Sequence, residues 1–185
     1  MIDETLLEAE EKMERAVEHA KEEFATVRTG RATPAMFGKI VIDYYGSPTP
    51  LPQLASIGVP EPRMAIIKPY DASQLGKMEK AIRDSDLGLN PATQGETVRV
   101  PMPPLTEERR KELIKVVRHE AENARVAVRN LRRDANHQLK DALKKHEVSE
   151  NDERRALDEM QKMTDRHVAA IDRLLQDKEK ELLAV

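Results

Sequence analysis

A row of basic residues spaced seven positions apart is the feature of this sequence best suited to binding a ligand. They are Lys111, Arg118, Arg125 and Arg132, and Arg129 falls between the last two. At about 100° per residue, a helix would bring these five side chains within roughly 60° of one another. Because a guanidinium group makes planar, bidentate contacts with phosphate, this pattern predicts a surface that binds a phosphate backbone.

The composition around this row favours phosphate binding over simple solvation. A solvated charged face is common on surface helices, and that explanation stays open here. Between Arg125 and Arg133, however, no acidic residue occurs, and arginine outnumbers lysine throughout Leu105 to Arg133. Lysine alone would serve solubility. Since the net charge of the chain is −3, any affinity for nucleic acid must come from this local patch.

The row lies on a segment that the sequence predicts to be one long helix, from Leu105 to Lys145. No Pro or Gly follows Pro104 in this segment, and apolar residues recur at steps of three and four. At 1.5 Å per residue, the helix would be about 60 Å long. Its apolar stripe is centred about 120° from Lys111 and Arg129 and consists of Leu113, Val117, Ala121, Ala124, Val128, Leu131, Ala135, Leu139 and Ala142.

Two more long amphipathic helices are predicted at the ends of the chain. The first runs from Ile2 to Arg28 and is expected to end at Gly30 as its C′ residue. The third runs from about Glu150 to Leu183, with Ser149 as its N-cap. Because isolated amphipathic helices are unstable in water, we expect a three-helix bundle in which the short link makes the second and third helices antiparallel.

Between the first two helices, the composition indicates a small α/β unit. All 11 prolines and six of the 7 glycines lie between Arg31 and Pro104. The predicted elements are strands at Lys39–Tyr45, Leu54–Val59, Met64–Lys68 and Thr97–Val100, a short helix capped by Ser73, and turns at Gly46–Pro50 and Asn90–Gly95. The loops are short, which is typical of a single domain.

These elements predict an α+β fold: an elongated three-helix bundle (residues 1–29 and 105–185) with an α/β domain (residues 31–103) inserted between helices one and two. The chain crosses between the two parts twice, near 29–31 and near 103–105. Glycine at one crossing and proline at the other suggest hinges with limited freedom and an L-shaped molecule. The predicted hinge residues are Thr29, Gly30, Pro103, Pro104 and Leu105.

The sequence shows no recognisable catalytic or metal-binding motif. It contains no GxxxxGK[ST] or GxGxxG loop and no HExxH motif, and its 5 histidines and many carboxylates assemble no specific acid–base pair. There is no cysteine for a thiolate metal site or disulfide. We therefore expect no catalytic residue and no metal. The acidic N-terminus lacks a signal peptide and no apolar run reaches membrane-spanning length, so a soluble intracellular protein is expected.

Five motifs, spread over the whole chain in order, resemble those of the bacterial ribosome recycling factor family. They are RTGRA (Arg28–Ala32), YYGSPTPL (Tyr44–Leu51), SDLGLNP (Ser85–Pro91), RVPMPPLTEERRKEL (Arg99–Leu113) and ARVAVRNLRRDAN (Ala124–Asn136). None of the motifs contains a change that would disable the family's function. The chain length also matches that of the family.

The resemblance implies a cytoplasmic translation factor that is not an enzyme and needs no cofactor. Such factors are L-shaped monomers that bind the post-termination ribosome. They lie on large-subunit ribosomal RNA in the region of the intersubunit bridges. Elongation factor G then uses GTP and acts against the factor, so that the subunits separate and mRNA and deacylated tRNA are released for a new round of translation.

The resemblance also implies which residues contact RNA. The last motif gives Arg129, Arg132 and Arg133, with Arg132 ranked first, whereas Lys111, Arg118 and Arg125 depend on the spacing argument alone. Four further candidates, for which solvation or hinge packing remains an alternative, are Arg28, Arg31, Arg109 and Arg110.

Two other classes of protein compete with this interpretation. A coiled-coil interaction module or chaperone would use its apolar seam to hold a protein partner. A hydrolase would need a site in the proline-rich domain, where the sequence supplies no nucleophile.

Overall fold

The computed structural model describes residues 1–184, which divide into two compact units. One unit, the bundle, comprises Met1–Arg28 and the chain from Glu107 onward, and the other, the head, comprises Thr29–Thr106. The predicted bundle range also includes Val185, which lies outside the described residues. In chain order the elements are α1 (Ile2–Ala25), β1 (Val41–Tyr44), β2 (Ser47–Pro50), α2 (Leu51–Leu54), β3 (Ala55–Glu61), β4 (Met64–Pro69), α3 (Leu75–Arg83), β5 (Ala92–Gln94), β6 (Thr97–Pro101), α4 (Glu107–Lys144) and α5 (Glu150–Leu183).

In the bundle, α1, α4 and α5 each pack against the other two. Met13, Val117, Val128, Leu139, Met160, Ile171 and Leu182 are fully buried between them. The predicted stripe of α4 is confirmed except at its edge, where Ala124 and Leu131 are only half-buried. Ser149 caps α5 as predicted, because its hydroxyl oxygen accepts a hydrogen bond from the Asp152 backbone N–H at 3.1 Å.

The predicted end of the first helix is wrong, because α1 stops at Ala25 and not at Arg28. The Thr26 hydroxyl and backbone N–H both donate to the Glu23 carbonyl, at 2.7 and 3.2 Å, which closes the last turn early. Gly30 therefore lies beyond the helix end and is not its C′ residue. Its φ of +77° nevertheless requires a conformation that other residues rarely adopt.

The head contains two antiparallel sheets. β1 and β2 form a hairpin, and the larger sheet has the order β3-β4-β6-β5. α3 packs against this sheet and buries Met78 and Ile82, together with Ile67, Val98 and Val100 of the strands. Burial alternates from residue to residue along β4 and β6, so each strand has one buried and one more exposed face.

Three local predictions for the head are wrong. Ser47–Pro50 is a strand paired with β1, and only Tyr45 and Gly46, both with positive φ, form the turn; its prolines are tolerated because a two-stranded hairpin has only edges. Ala92–Gln94 is likewise a strand and not a turn. Ser73 does not cap α3, because it lies inside a 3-10 turn (Ala72–Gln74) that precedes the helix. Asp71 caps that turn, and its carboxylate accepts a hydrogen bond from the Ser73 backbone N–H at 3.0 Å.

Candidate nucleic-acid interface

The heptad-spaced arginines of α4 lie on the side of the helix that borders α5. Arg118 donates from Nε to Glu179 Oε1 at 2.6 Å, and Arg125 donates from Nε to Asp172 Oδ1 at 2.7 Å. Both acceptors are on α5. These arginines therefore lie along the seam between the two helices. How much of each arginine's charge is neutralised depends on the α5 side chain that faces it.

Arg125 is the residue for which the predicted outward orientation is wrong. Its side chain is only 19% exposed and bridges Asp172 on α5 and Glu122 on α4. Burial of the guanidinium opposes its charged form, but the hydrogen bonds with Asp172 and Glu122 outweigh that effect and raise the Arg125 pKa above its usual value. Arg125 thus joins α4 to α5, and two carboxylates already balance its charge.

Arg118 and Lys111 are exposed but also have carboxylate partners. The Arg118 side chain is 63% exposed while it contacts Glu179. Lys111 lies 3.5 Å from Glu107, one turn earlier on α4, and is 72% exposed. Exposed ion pairs of this kind are weak, so both cations can bind another anion. Each must first break its existing ion pair.

Arg129 and Arg132, together with the adjacent Arg133, carry less neutralised charge than Arg118 and Arg125. Arg129 is 42% exposed and lies 3.9 Å from Glu122, a carboxylate that Arg125 already contacts. Arg132 donates from Nη1 to the neutral amide oxygen of Gln161 at 3.2 Å. Arg133 is exposed, and within residues 1–184 it has no hydrogen bond or ion pair. These three side chains therefore offer guanidinium groups to a phosphate at little electrostatic penalty.

A shallow cavity of about 410 Å³ lies beside this cluster. Its walls are Arg132, Arg133, Asn136, His137, Lys140 and Gln161. Sequence reasoning missed the last four of these, although Lys140 follows Arg133 by two helical turns and extends the basic surface. The Asn136 side-chain oxygen is itself buried and has no hydrogen-bond partner among the described residues.

The other predicted RNA contacts lie away from this cavity in the sequence. Arg28 and Arg31 are exposed, and Arg110 is half-buried at the start of α4. Arg109 donates from Nη1 to Glu112 at 2.8 Å. An RNA-binding role for these residues stays a prediction.

The predicted hinge residues adjoin two anchored points of the head. The Ala32 backbone N–H donates to the Pro62 carbonyl, and the Met102 N–H donates to the Arg63 carbonyl, both at 2.7 Å. Entry to and exit from the head are therefore fastened to the same turn, between β3 and β4. A Cβ on Gly30 would lie 3.4 Å from Leu105 Cγ, so the residues flanking these anchors are also in contact.

Two other kinds of site are absent from the described chain. Residues 1–184 hold no cluster of three or more His, Cys, Asp or Glu side chains that could bind a metal ion. No helix among them is long and apolar enough to cross a membrane.

Comparison with known proteins gives one consistent result. The family model described as ribosome recycling factor matches residues 20–183. Ribosome-recycling factors of Salinispora tropica, Streptomyces coelicolor and Legionella pneumophila are 66%, 56% and 51% identical to this chain, and each alignment covers 100% of both proteins.

Solved structures agree with the sequence comparison. A solution structure of the ribosome recycling factor has a TM-score of 0.79 and 42% identity, and the alignment covers 100% of this chain and 98% of that one. The T. thermophilus ribosome recycling factor, in a structure with E. coli elongation factor G bound to the E. coli post-termination complex, has a TM-score of 0.67 and 43% identity, with 100% of both chains covered. With a matching family model, full-length relatives and a shared α+β fold, this chain belongs to the ribosome recycling factor family.

Proposed function

We propose that this chain recycles ribosomes after termination. It binds the post-termination ribosome through large-subunit ribosomal RNA near the intersubunit bridges. Elongation factor G and GTP then drive separation of the subunits, with release of mRNA and deacylated tRNA. Family membership supports this proposal, as does the structural relative that is bound with elongation factor G to a post-termination complex.

The observation that supports the RNA-binding step is that the charges of Arg129, Arg132 and Arg133 are poorly neutralised by other side chains. Arg133 has no partner within residues 1–184, and the hydrogen bond of Arg132 is to a neutral group. Contacts to phosphate oxygens are strong and tolerant of sequence, which suits docking onto folded RNA. Arg118 and Arg125 are held by carboxylates of α5 and serve mainly to join α4 to α5. The remaining basic candidates contribute as secondary contacts: Lys111, Arg28, Arg31 and Arg110.

The chain itself performs no covalent chemistry in this proposal. GTP is used by elongation factor G, and the factor needs neither a cofactor nor a metal. It acts in the cytoplasm as a monomer. The coiled-coil alternative is less well supported, because the apolar stripes of α1, α4 and α5 are already buried against one another.

Movement of the head relative to the bundle is the second part of the proposal. Since Ala32 and Met102 are fastened to the β3–β4 turn, rotation must occur outside them, at residues 29–31 and 103–106. A bundle of three long helices is stiff enough to transmit a force that the partner applies to the head. Thr29, Gly30, Pro103, Pro104 and Leu105 would then act as the hinge.

Sedimentation of post-termination ribosomes with the factor, elongation factor G and GTP tests the first part. We expect the wild type to convert them to subunits and Arg132→Ala to do so poorly at the same concentration. Arg15→Ala is the matched control, because Arg15 is an exposed α1 arginine without a partner in the described chain. Equal splitting by both variants would contradict the proposal, as would wild-type protein that leaves the ribosomes intact.

Gly30→Val tests the hinge, because its φ of +77° is strained for valine and the new side chain would contact Leu105. We expect subunit splitting to slow more than ribosome binding weakens. Gly95→Val, at a φ of +61° in open space, is the control for backbone strain in the head. Equal losses of binding and splitting in Gly30→Val would remove the hinge from the mechanism.

A further inference from the structure

Two ion pairs between α4 and α5 are related by one heptad step. One heptad forward on α4, from Arg118 to Arg125, corresponds to one heptad backward on α5, from Glu179 to Asp172. The same step takes α4 to Arg132 and α5 to Asp165. Asp165 is therefore the carboxylate that this register offers to Arg132.

At the third step of this series, Arg132 and Asp165 form no ion pair, and the neutral side chain of Gln161 contacts both of them. Gln161, one turn before Asp165 on α5, donates from Nε2 to Asp165 Oδ1 at 2.9 Å. Its Oε1 accepts the hydrogen bond from Arg132 Nη1 at 3.2 Å. Arg132 makes no ion pair with any carboxylate in the described part of the chain. The Gln161 amide thus presents its donor to the carboxylate and its acceptor to the guanidinium.

This arrangement has an electrostatic consequence for Arg132. A carboxylate in contact with a guanidinium competes directly with an incoming phosphate, since both bind through the same charge-assisted hydrogen bonds. A neutral amide restricts the side chain without cancelling its charge. The same amide occupies Oδ1 of Asp165, the carboxylate that aligns with Arg132 when the heptad step is continued.

We propose that Gln161 is a positioning residue for Arg132: it restrains Asp165 and orients the Arg132 guanidinium, so that the guanidinium remains free to bind an RNA phosphate. The inference rests on the proposed function, because it assumes that Arg132 contacts ribosomal RNA. It goes further by assigning roles to two α5 residues, Gln161 and Asp165. It also explains why the row loses its ion pairs at this step.

The test measures binding to isolated large ribosomal subunits over a salt series, with thermal melting of each variant. Gln161→Leu removes the amide at similar volume, so Asp165 becomes free to pair with Arg132. We expect affinity to fall about tenfold and the salt slope to fall by about one, with little change in melting temperature. Gln176→Leu, an exposed glutamine on the same helix, is the matched control and should bind as the wild type does.

Rescue separates positioning from simple loss of a contact. In the double variant Gln161→Leu with Asp165→Asn, no carboxylate remains to capture Arg132, and most of the lost affinity should return. Asp165→Asn alone should bind at least as well as the wild type. If the double variant binds no better than Gln161→Leu, the inference is overturned.

Two further variants make the result decisive. Gln161→Glu keeps the shape of the side chain but places a carboxylate against Arg132, so it should bind at least tenfold more weakly than the wild type. Unchanged binding would overturn the inference. This variant gives the answer if Gln161→Leu does not fold. Arg132→Ala identifies which statement has failed. If Arg132→Ala binds normally, Arg132 does not contact RNA and that part of the proposed function is wrong. If Arg132→Ala binds weakly while Gln161→Leu binds normally, only the positioning role of Gln161 is refuted.

Discussion

Two arginine-bearing parts of the same helix, α4, differ in how much positive charge they leave available to a ligand. In the first, Arg118 and Arg125 meet Glu179 and Asp172 of α5, and Arg125 is largely buried between two carboxylates. In the second, Arg129 has only a carboxylate 3.9 Å away, and Arg132 is hydrogen-bonded to a neutral amide. Arg133 has no partner among the described residues. Periodicity selects the face of a helix, but the neighbouring helix determines which charges on that face can bind a ligand.

The comparison implies a division of work within one row. The Arg118–Arg125 part joins α4 to α5, and we propose that the Arg129–Arg133 part binds RNA. Variants in the two parts should therefore affect different measurements. Folding stability reports on the first part, and salt-dependent ribosome binding reports on the second.

The largest expected effect is on binding when Arg129, Arg132 and Arg133 are all changed to Ala. Loss of three phosphate contacts should weaken binding to the large subunit by about 3 kcal/mol or more and reduce the salt slope by about two to three. Helical content measured by circular dichroism should be unchanged, because these side chains make no buried contact. Binding within a factor of two of the wild type would refute the assignment.

Arg125→Ala should instead lower stability. It removes a largely buried guanidinium that links α4 to α5 and leaves Asp172 without its cation, whereas exposed Glu122 still has Arg129 nearby. Because water partly compensates both carboxylates, we expect a loss of about 1 kcal/mol in the free energy of unfolding, measured by urea denaturation. Binding per folded molecule should change little. A large loss of binding with normal stability would mean that Arg125 belongs to the RNA-binding part after all.

Glu179→Gln sharpens the comparison by releasing Arg118. The exposed Arg118–Glu179 pair contributes about 1 kcal/mol or less, so stability should barely change. A free Arg118 guanidinium can then approach phosphate, and binding should become slightly tighter with a steeper salt dependence. Weaker binding in this variant would show that the pair itself is needed at the interface.

Lys111→Ala should have the smallest effect. Lys111 lies at the start of α4, is paired with Glu107 and is remote in sequence from the Arg129–Arg133 cluster. We expect less than about a threefold change in affinity and no measurable change in melting temperature. A change as large as that of Arg132→Ala would extend the interface to the N-terminal end of the helix.

Much of the fold is visible in the sequence because α4 and α5 carry regular apolar steps, and these predict which residues become buried. The errors arise where a side chain or a pairing partner overrides the local pattern. Thr26 closes α1 before the glycine that was expected to end it. Pro48 and Pro50 suggested a turn, but a hairpin edge accepts proline within a strand.

The candidate site was only partly predictable for a related reason. The arginine row follows from spacing within one helix, whereas the partners of Arg118 and Arg125 lie 61 and 47 residues away. Finding them requires the antiparallel register of α4 and α5. That register could have been read by aligning the two heptad series, because the acids of α5 have the same spacing as the arginines of α4. Gln161 gives no such signal, since an exposed glutamine on a helix is ordinary.

If this chain binds RNA as proposed, the availability of charge, and not the spacing of the side chains, determines which arginines make the contact. Binding of Arg118→Ala and Arg132→Ala to large ribosomal subunits, measured side by side from low to high salt, tests this claim most directly. We expect Arg132→Ala to weaken binding by about 1–3 kcal/mol and to lower the salt slope by about one, with Arg118→Ala close to the wild type. Equal losses in the two variants would contradict the account.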